Sequence, residues 1–458
     1  MSLSPAGGLL KFKLALMMFL QFFIWGAWYE LGFDYIPKLG FNNEWQLPLV
    51  FGAFNIGALV ALFFSAQFAD RKFAAEKFLA MSQLIGGLAM IGLFFIKKEP
   101  GEASAPFWPF FALMLVHSVF YVPTISITNS IAFANLRDPA REFGPVRVWG
   151  TIGWIAASWP FIFILADWSK VPSLNAVSLG EWLGKVFGSS VEGEAAMHLK
   201  AYIFLVSGAA SLLLALYSLS LPHTPPRPAS GADSLAWLKA MKLLKHPFVA
   251  VLFLVTFIDA AVHQSFFFWT FTFLGPKGDG GVVDIPANWV GPVMKIGQIA
   301  EIVTMLFLGF VLKRLGWRLT MTIGVLGHAA RFAVFAFFPE QVPAILVNVV
   351  HGICYAFFFA TVYIFVDEVF PKDVRSSAQG LFNVLILGIG PFTANFFCGR
   401  LAAQYTSGGK LDYHAVFQYS MFAALIGALM LALLFYPPTD RAAEPPHSTP
   451  SEESPPAA

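Results

Sequence analysis

Apolar runs of 18 or more residues, bounded by charge, proline or glycine clusters, follow one another along almost all of the 458-residue chain. About 20 mostly apolar residues cross a bilayer core as a helix, and within lipid such a helix satisfies all of its own backbone groups. The runs predict spans at residues 12–36, 47–69, 75–96, 106–134, 143–166 and 199–221. Six more are predicted at 247–274, 287–313, 318–338, 342–369, 374–401 and 413–436. The expected fold class is therefore an all-α membrane protein with twelve transmembrane helices. Charged residues make up 12% of the chain, against about 25% in soluble domains, so a set of soluble domains is excluded. The net charge of +2 gives no sign of nucleic-acid binding. Cys354 and Cys398 fall inside apolar runs, where neither a disulfide nor a metal site is expected. Lys11 and Lys13 precede a run that continues past Trp28 without a small-residue cleavage site, so it reads as a retained first span.

Proline and charge divide the runs into two sets of six. Residues 1–221 form an N-terminal bundle, and 222–246 a cytoplasmic linker whose 235–245 stretch, with Lys239, Lys242 and Lys245, reads as an amphipathic helix. Residues 247–436 form a C-terminal bundle, and 437–458, rich in Pro, Ser and Glu, a disordered cytoplasmic tail. The polar stretch 167–200 is expected to carry a short surface helix. Ala69-Asp-Arg-Lys72 after the second run is echoed by Lys313-Arg-Leu-Gly-Trp-Arg318 after the eighth. Pro145-Val-Arg147 after the fourth is echoed by Pro371 to Arg375 after the tenth, as expected of a parallel repeat in a six-plus-six transporter. Lysine and arginine concentrate in alternate loops, which predicts both termini on the cytoplasmic side.

Polar groups inside the runs are few. The run from Val290 to Leu312 carries Gln298 and Glu301 on one helical face, and a mid-membrane carboxylate is costly unless something uses it. Arg147, Thr151 and Trp154, at i, i+4 and i+7, form a single stripe: a guanidinium, a hydroxyl and an aromatic platform. The same stripe also fits an arginine snorkelling to the headgroups beside a packed tryptophan. Asp259 and His263 are one helical turn apart, as a neutralising pair or a proton relay, and Gln264 beside them can act as ligand or helix contact. His328 and Arg331 fall on one face, with Arg331 as a brace; His351 and Tyr355 share another and can close a cavity from the opposite side. Gln21, Trp25, Trp28 and Asn129 are weaker site residues.

Five stretches resemble the nucleoside:proton symporter family of the major facilitator superfamily. They are Leu20-Gln-Phe-Phe-Ile-Trp-Gly-Ala-Trp28, His117-Ser-Val-Phe-Tyr-Val-Pro-Thr124, Val146-Arg-Val-Trp-Gly-Thr-Ile-Gly153, Gly297-Gln-Ile-Ala-Glu301 and Arg375-Ser-Ser-Ala-Gln-Gly380. The resemblance implies the major facilitator fold: two six-helix bundles around a central cavity, rocking to give alternating access. It implies that Arg147, Thr151 and Trp154, with Gln264, Gln298 and Glu301, bind substrate, and that His351 and Tyr355 line the cavity. Two departures stand out: Phe267 occupies the place of a family asparagine, and Ala356 that of an acidic residue in the tenth span. Glu301 is then the expected proton carrier.

The expected function is import of nucleosides across the inner membrane, with a proton, by a monomer without catalytic residues, cofactor or metal. The rival readings are a carrier of sugars, other metabolites or drugs on the same fold, a membrane enzyme, and a transporter-derived nutrient sensor. No His-x-x-x-His metal pair or Gly-x-Ser-x-Gly elbow supports the enzyme. No substantial soluble output domain supports the sensor.

Overall fold

The computed structural model describes residues 5–64, 74–226, 241–370 and 375–437. Among these, nine helical stretches are long and apolar enough to cross a membrane. Apart from a two-residue hairpin, Thr406–Ser407 against Lys410–Leu411, the regular structure is helical. The first half contains α1 (Pro5–Tyr35), α2 (Gln46–Phe64), α3 (Ala75–Phe94), α4 (Phe107–Asn135) and α5 (Pro139–Ala156). It continues with α6 (Trp159–Ile164), α7 (Leu179–Gly188), α8 (Gly193–Lys200) and α9 (Tyr202–Ser218). Together α5 and α6 cover the fifth expected span, interrupted at Ala157–Ser158 just ahead of Pro160. The polar stretch carries two short helices, α7 and α8, where one is expected; Ser178 caps α7 by accepting from the Glu181 amide at 3.2 Å.

The second half opens on α10 (Pro247–Leu274), whose bounds coincide with those expected from sequence. Next come α11 (Ala287–Met294) and α12 (Ile296–Phe337), the latter two helices joined across Gly316, whose φ of 67° breaks the helical path where the eighth and ninth spans are expected to meet. The tenth span is assembled from α13 (Gln341–Leu346), a 3₁₀ turn, α14 (Val350–Cys354), a π-helical turn (Tyr355–Ala360) and α15 (Thr361–Val369). The eleventh runs through α16 (Arg375–Asn383), a second π turn (Val384–Ile389) and α17 (Gly390–Tyr405), and α18 (Tyr413–Leu434) closes the bundle. The linker reading for 235–245 and the tail reading for 437–458 lie mostly outside the described residues; Leu243–Lys245 forms a 3₁₀ turn.

Within the first half, α1 packs on α5 and α9, α2 on α4, and α3 on α4 and α9. In the second, α10 packs on α17 and α18, and α12 on α14 and α18. The halves meet where α1 touches α10, α2 touches α17 and its π turn, and α6 touches α11. Chain alternation gives the bundle two ends. Lys11 reaches Glu142 at 2.6 Å and Lys13 the Ser220 carbonyl at 2.8 Å at the near end, which carries the N-terminus. At the far end, the Trp289 indole donates to the Phe187 carbonyl at 2.6 Å and Lys200 meets Asp279 at 2.9 Å, joining the halves.

Candidate functional site

Two close approaches place the polar stripes. A Cβ on Gly153 would lie 2.1 Å from the Phe19 carbonyl oxygen, so α5 can rest on α1 only with glycine there. Arg147, Thr151 and Trp154 are thereby turned to the interior. On the opposite wall, a Cβ on Gly352 would meet the Glu301 amide nitrogen at 2.5 Å, so α14 lies directly against the turn carrying Gln298 and Glu301. Between the two walls is a cavity of about 290 Å³, at the lower edge of the roughly 300–1,000 Å³ usual for small-molecule sites. All eight residues singled out as site residues, Arg147, Thr151, Trp154, Gln264, Gln298, Glu301, His351 and Tyr355, line it.

Four further aromatic groups, Phe54 of α2 and three of α1, line the first-half wall. Phe22, Trp25 and Tyr29 line the cavity on successive turns of α1, a helical stripe of which sequence reasoning picked only Trp25. Trp25 stacks on Phe54 at 4.6 Å and meets Trp154 edge-on at 5.1 Å. Of the weaker site residues, Gln21 is instead buried among Thr124 and Gln83, Trp28 packs on His117, and Asn129 does not line the cavity. Phe267 also lines it, 5.4 Å from Tyr29 and 5.2 Å from His263, so an aromatic face stands where an amide is expected from the family pattern.

The cavity's far side is closed by one hydrogen-bonded chain. The Tyr29 hydroxyl donates to Gln264 Oε1 at 2.8 Å, and Gln264 Nε2 donates to Asn395 Oδ1 at 2.9 Å. Asn395 Nδ2 donates to Asn55 Oδ1 at 3.2 Å, and Asn55 Nδ2 to the Leu387 carbonyl at 2.9 Å. Gln264, expected as a ligand, is thus a ceiling residue in this conformation, with one donor hydrogen and one lone pair left over. Leu387 belongs to the second π turn and Tyr355 to the first, so both π turns contribute to the cavity wall.

Two buried charge groups lie beyond the ceiling. Lys295, at the break between α11 and α12, sits 2.8 Å from Glu30 of α1, each under 4% exposed. Its ammonium also lies over the Trp154 ring at 4.4 Å. Further out, Lys200 contacts Asp34 at 2.7 Å and Asp279 at 2.9 Å; Lys38 adds a 3.0 Å contact to Asp34, and the Thr272 hydroxyl donates to Asp34 at 3.1 Å. Neither group is read from the sequence, although a lysine interrupting the apolar run at 295 is a signal. Inside the cavity the formal charges are Arg147 and Glu301, and among the described residues neither joins a salt bridge. Arg147 lies 4.1 Å over the Phe22 ring. Trp25 Nε1, Gln298 Oε1 and His263 Nδ1 are buried without a hydrogen-bond partner among the described residues.

The profile of the nucleoside H+ symporter family matches residues 9–181 and 179–440. The chain belongs to that family. Among its relatives is YegT of Escherichia coli (strain K12), 30% identical over 82% of this chain and 81% of its own. Another is the xanthosine permease of the same organism, 28% identical over 93% and 94%. The crystal structure of a mutant form of the nucleoside transporter NupG superposes with a TM-score of 0.76 at 26% identity, covering 93% of this chain and all of that one. This symporter is a multi-pass membrane protein and a transporter, not an enzyme.

Proposed function

We propose that the protein imports nucleosides across the inner membrane by alternating access, coupled to protons, and that Arg147, Thr151, Trp154, Gln264, Gln298, Glu301, His351 and Tyr355 hold the substrate. The observation that carries the reading is a single cavity to which both halves contribute an aromatic wall and polar atoms that the protein leaves unpaired. A base fits against the Trp25 and Trp154 rings that line the cavity, with ribose hydroxyls within the reach of carboxylate, amide and guanidinium groups. Family membership supports the nucleoside and the proton. Counting 46–61 and 139–164 as spans, and dividing 287–337 at Gly316, brings the nine apolar stretches to twelve in two bundles of six. The distribution of positive residues supports a cytoplasmic near end and cytoplasmic termini, and on that reading the ceiling closes the cavity toward the outside.

Glu301 is the proposed proton carrier at the cavity. The test is counterflow of labelled uridine in proteoliposomes, with and without a pH gradient. Glu301→Gln should keep counterflow and lose accumulation driven by the gradient; unchanged concentrative uptake would sink its role. In the unaltered protein, adenosine should compete with uridine, and sugars should not.

A further inference from the structure

Behind the second-half wall, and touching the proposed substrate site among the described residues only through His351, lies a cluster around Asp259, His328 and Arg331. Asp259 of α10 is completely buried, and neither of its oxygens has a hydrogen-bond partner among the described residues. The base closest to it is His328 of α12, whose Nε2 stands 3.6 Å from Asp259 Oδ2, beyond hydrogen-bond distance and itself unpartnered. The other nitrogen of that ring is taken: Arg331 donates through Nη2 to His328 Nδ1 at 2.9 Å and through Nη1 to His351 Nδ1 at 2.6 Å. A ring that accepts at Nδ1 carries its hydrogen on Nε2, so both histidines are neutral and held in one tautomer by the guanidinium. Arg331 is fixed in turn by the Phe266 ring, 3.8 Å away. The His351 Nε2–H points at the Gln298 amide, 3.4 Å distant, and turning that amide to present its unpaired oxygen would satisfy both groups.

His263 is the exception. It lines the cavity, Arg331 holds neither of its ring nitrogens, and its Nδ1 is unpartnered. It follows Asp259 by four residues on α10, hence on the same face one turn away, and its ring is 5.5 Å from that of His328. The pair expected from sequence is not joined here by a hydrogen bond among the described residues; the histidine faces the cavity and the carboxyl lies behind it. Among the described residues, the other titratable groups on this face are Cys354 and His351 of α14, Arg331 and His328 of α12, and Tyr355 of the first π turn, whose ring is 6.5 Å from that of His263. Across α17 and α18, Cys398 and Tyr413 lie beside Trp269 and Phe273, more than two turns along α10.

We infer that Asp259 is a proton-binding site of the transport cycle, filled from the cavity through His263, within a frame held by Arg331 and His328. A buried carboxylate without a donor is costly as the anion, and a proton removes that cost. The exchange balances: a cavity hydronium gives its proton to one nitrogen of His263, the other nitrogen passes a proton to Asp259, and water and the alternative histidine tautomer remain. Release reverses these steps when His328 closes the 3.6 Å gap and supplies the hydrogen bond that the anion needs.

This inference rests on the proposed proton coupling, and the test separates the two. In proteoliposomes, Asp259→Asn should retain uridine counterflow within about twofold of wild type and lose the proton influx that accompanies uridine, read with an internal pH dye; Asp259→Glu should restore part of it. Wild-type proton influx in Asp259→Asn would overturn the inference while leaving the nucleoside reading intact. An infrared pH titration of purified protein needs neither substrate nor transport. A carboxyl band that titrates in Glu301→Gln and is missing when Asp259→Asn is added supports the site, and no band dependent on Asp259 overturns it. If wild-type protein moves no nucleoside, the substrate reading fails and the infrared titration alone decides this one.

Discussion

The charges at the sealed far end and those in the cavity are equally foreign to a membrane interior, yet they are treated in opposite ways. Lys200 is held by two carboxylates and Lys295 by Glu30 and the Trp154 ring, with the negative partners drawn from both halves. Arg147 and Glu301 stand on facing walls without a salt bridge among the described residues. Removing two charges from water is worthwhile only when each finds the other, so the paired groups hold one arrangement of the halves. An unpaired pair of opposite sign beside a cavity of substrate size keeps its interaction for something that enters. The difference separates charges that maintain a conformation from charges that do work in it.

The largest effect should come from breaking a far-end pair on one side only. Lys295→Met leaves Glu30 buried and alone, and should destabilise the protein by about 3–5 kcal/mol, read as a fall in Tm in detergent. Adding Glu30→Gln should recover most of that fall; a double variant no better than the single would erase the distinction. A smaller effect belongs to the ceiling. Gln264→Leu strands the Tyr29 hydroxyl and the Asn395 amide, at about 1–3 kcal/mol for each unsatisfied group. It should raise outside labelling of an Ala287→Cys reporter by a membrane-impermeant maleimide, in a background with Cys354→Ala and Cys398→Ala. The smallest belongs to Asp167 and Lys170, a pair 2.8 Å apart on the far-end loop with the lysine exposed and the carboxylate partly so, where water and salt screen the attraction. Asp167→Asn should leave Tm unchanged within error, and a fall matching that of Lys295→Met would show that burial is not what distinguishes these pairs.

Lipid imposes the simplest rule in the molecule, and the spans were accordingly the most legible part. Pro247–Leu274 was readable end to end, and Gly316 falls between two expected spans because a helix must turn there. The cavity was legible where spacing alone decides a face: Arg147, Thr151 and Trp154 on one stripe, Gln298 and Glu301 on another. Contacts between distant spans were not. No periodicity in α1 says that Glu30 meets Lys295, since the choice depends on how α11 breaks before α12. Trp154 was read as an aromatic platform or a packed ring, and the structure sets an ammonium over it. The π turns were invisible because the register shift of an inserted residue leaves no mark in stretches such as 355–360 and 384–389, which are apolar at nearly every position.

The ceiling chain has a consequence for how the molecule parts. Three of its bonds cross between the halves: Tyr29 to Gln264, Asn395 to Asn55, and Asn55 to Leu387. Every one is neutral, and each polar atom would find water in the widening gap as readily as it finds its neighbour now. A typical exchange of that kind costs about 0.5–1.5 kcal/mol, so the three together amount to a few kcal/mol. That cost belongs to the seam alone; the Lys295–Glu30 and Lys200–Asp279 pairs, which also cross between the halves, add to the gap between the two conformations. Amides and a phenol thus make a seam that is watertight when shut and separates by trading partners rather than by losing them.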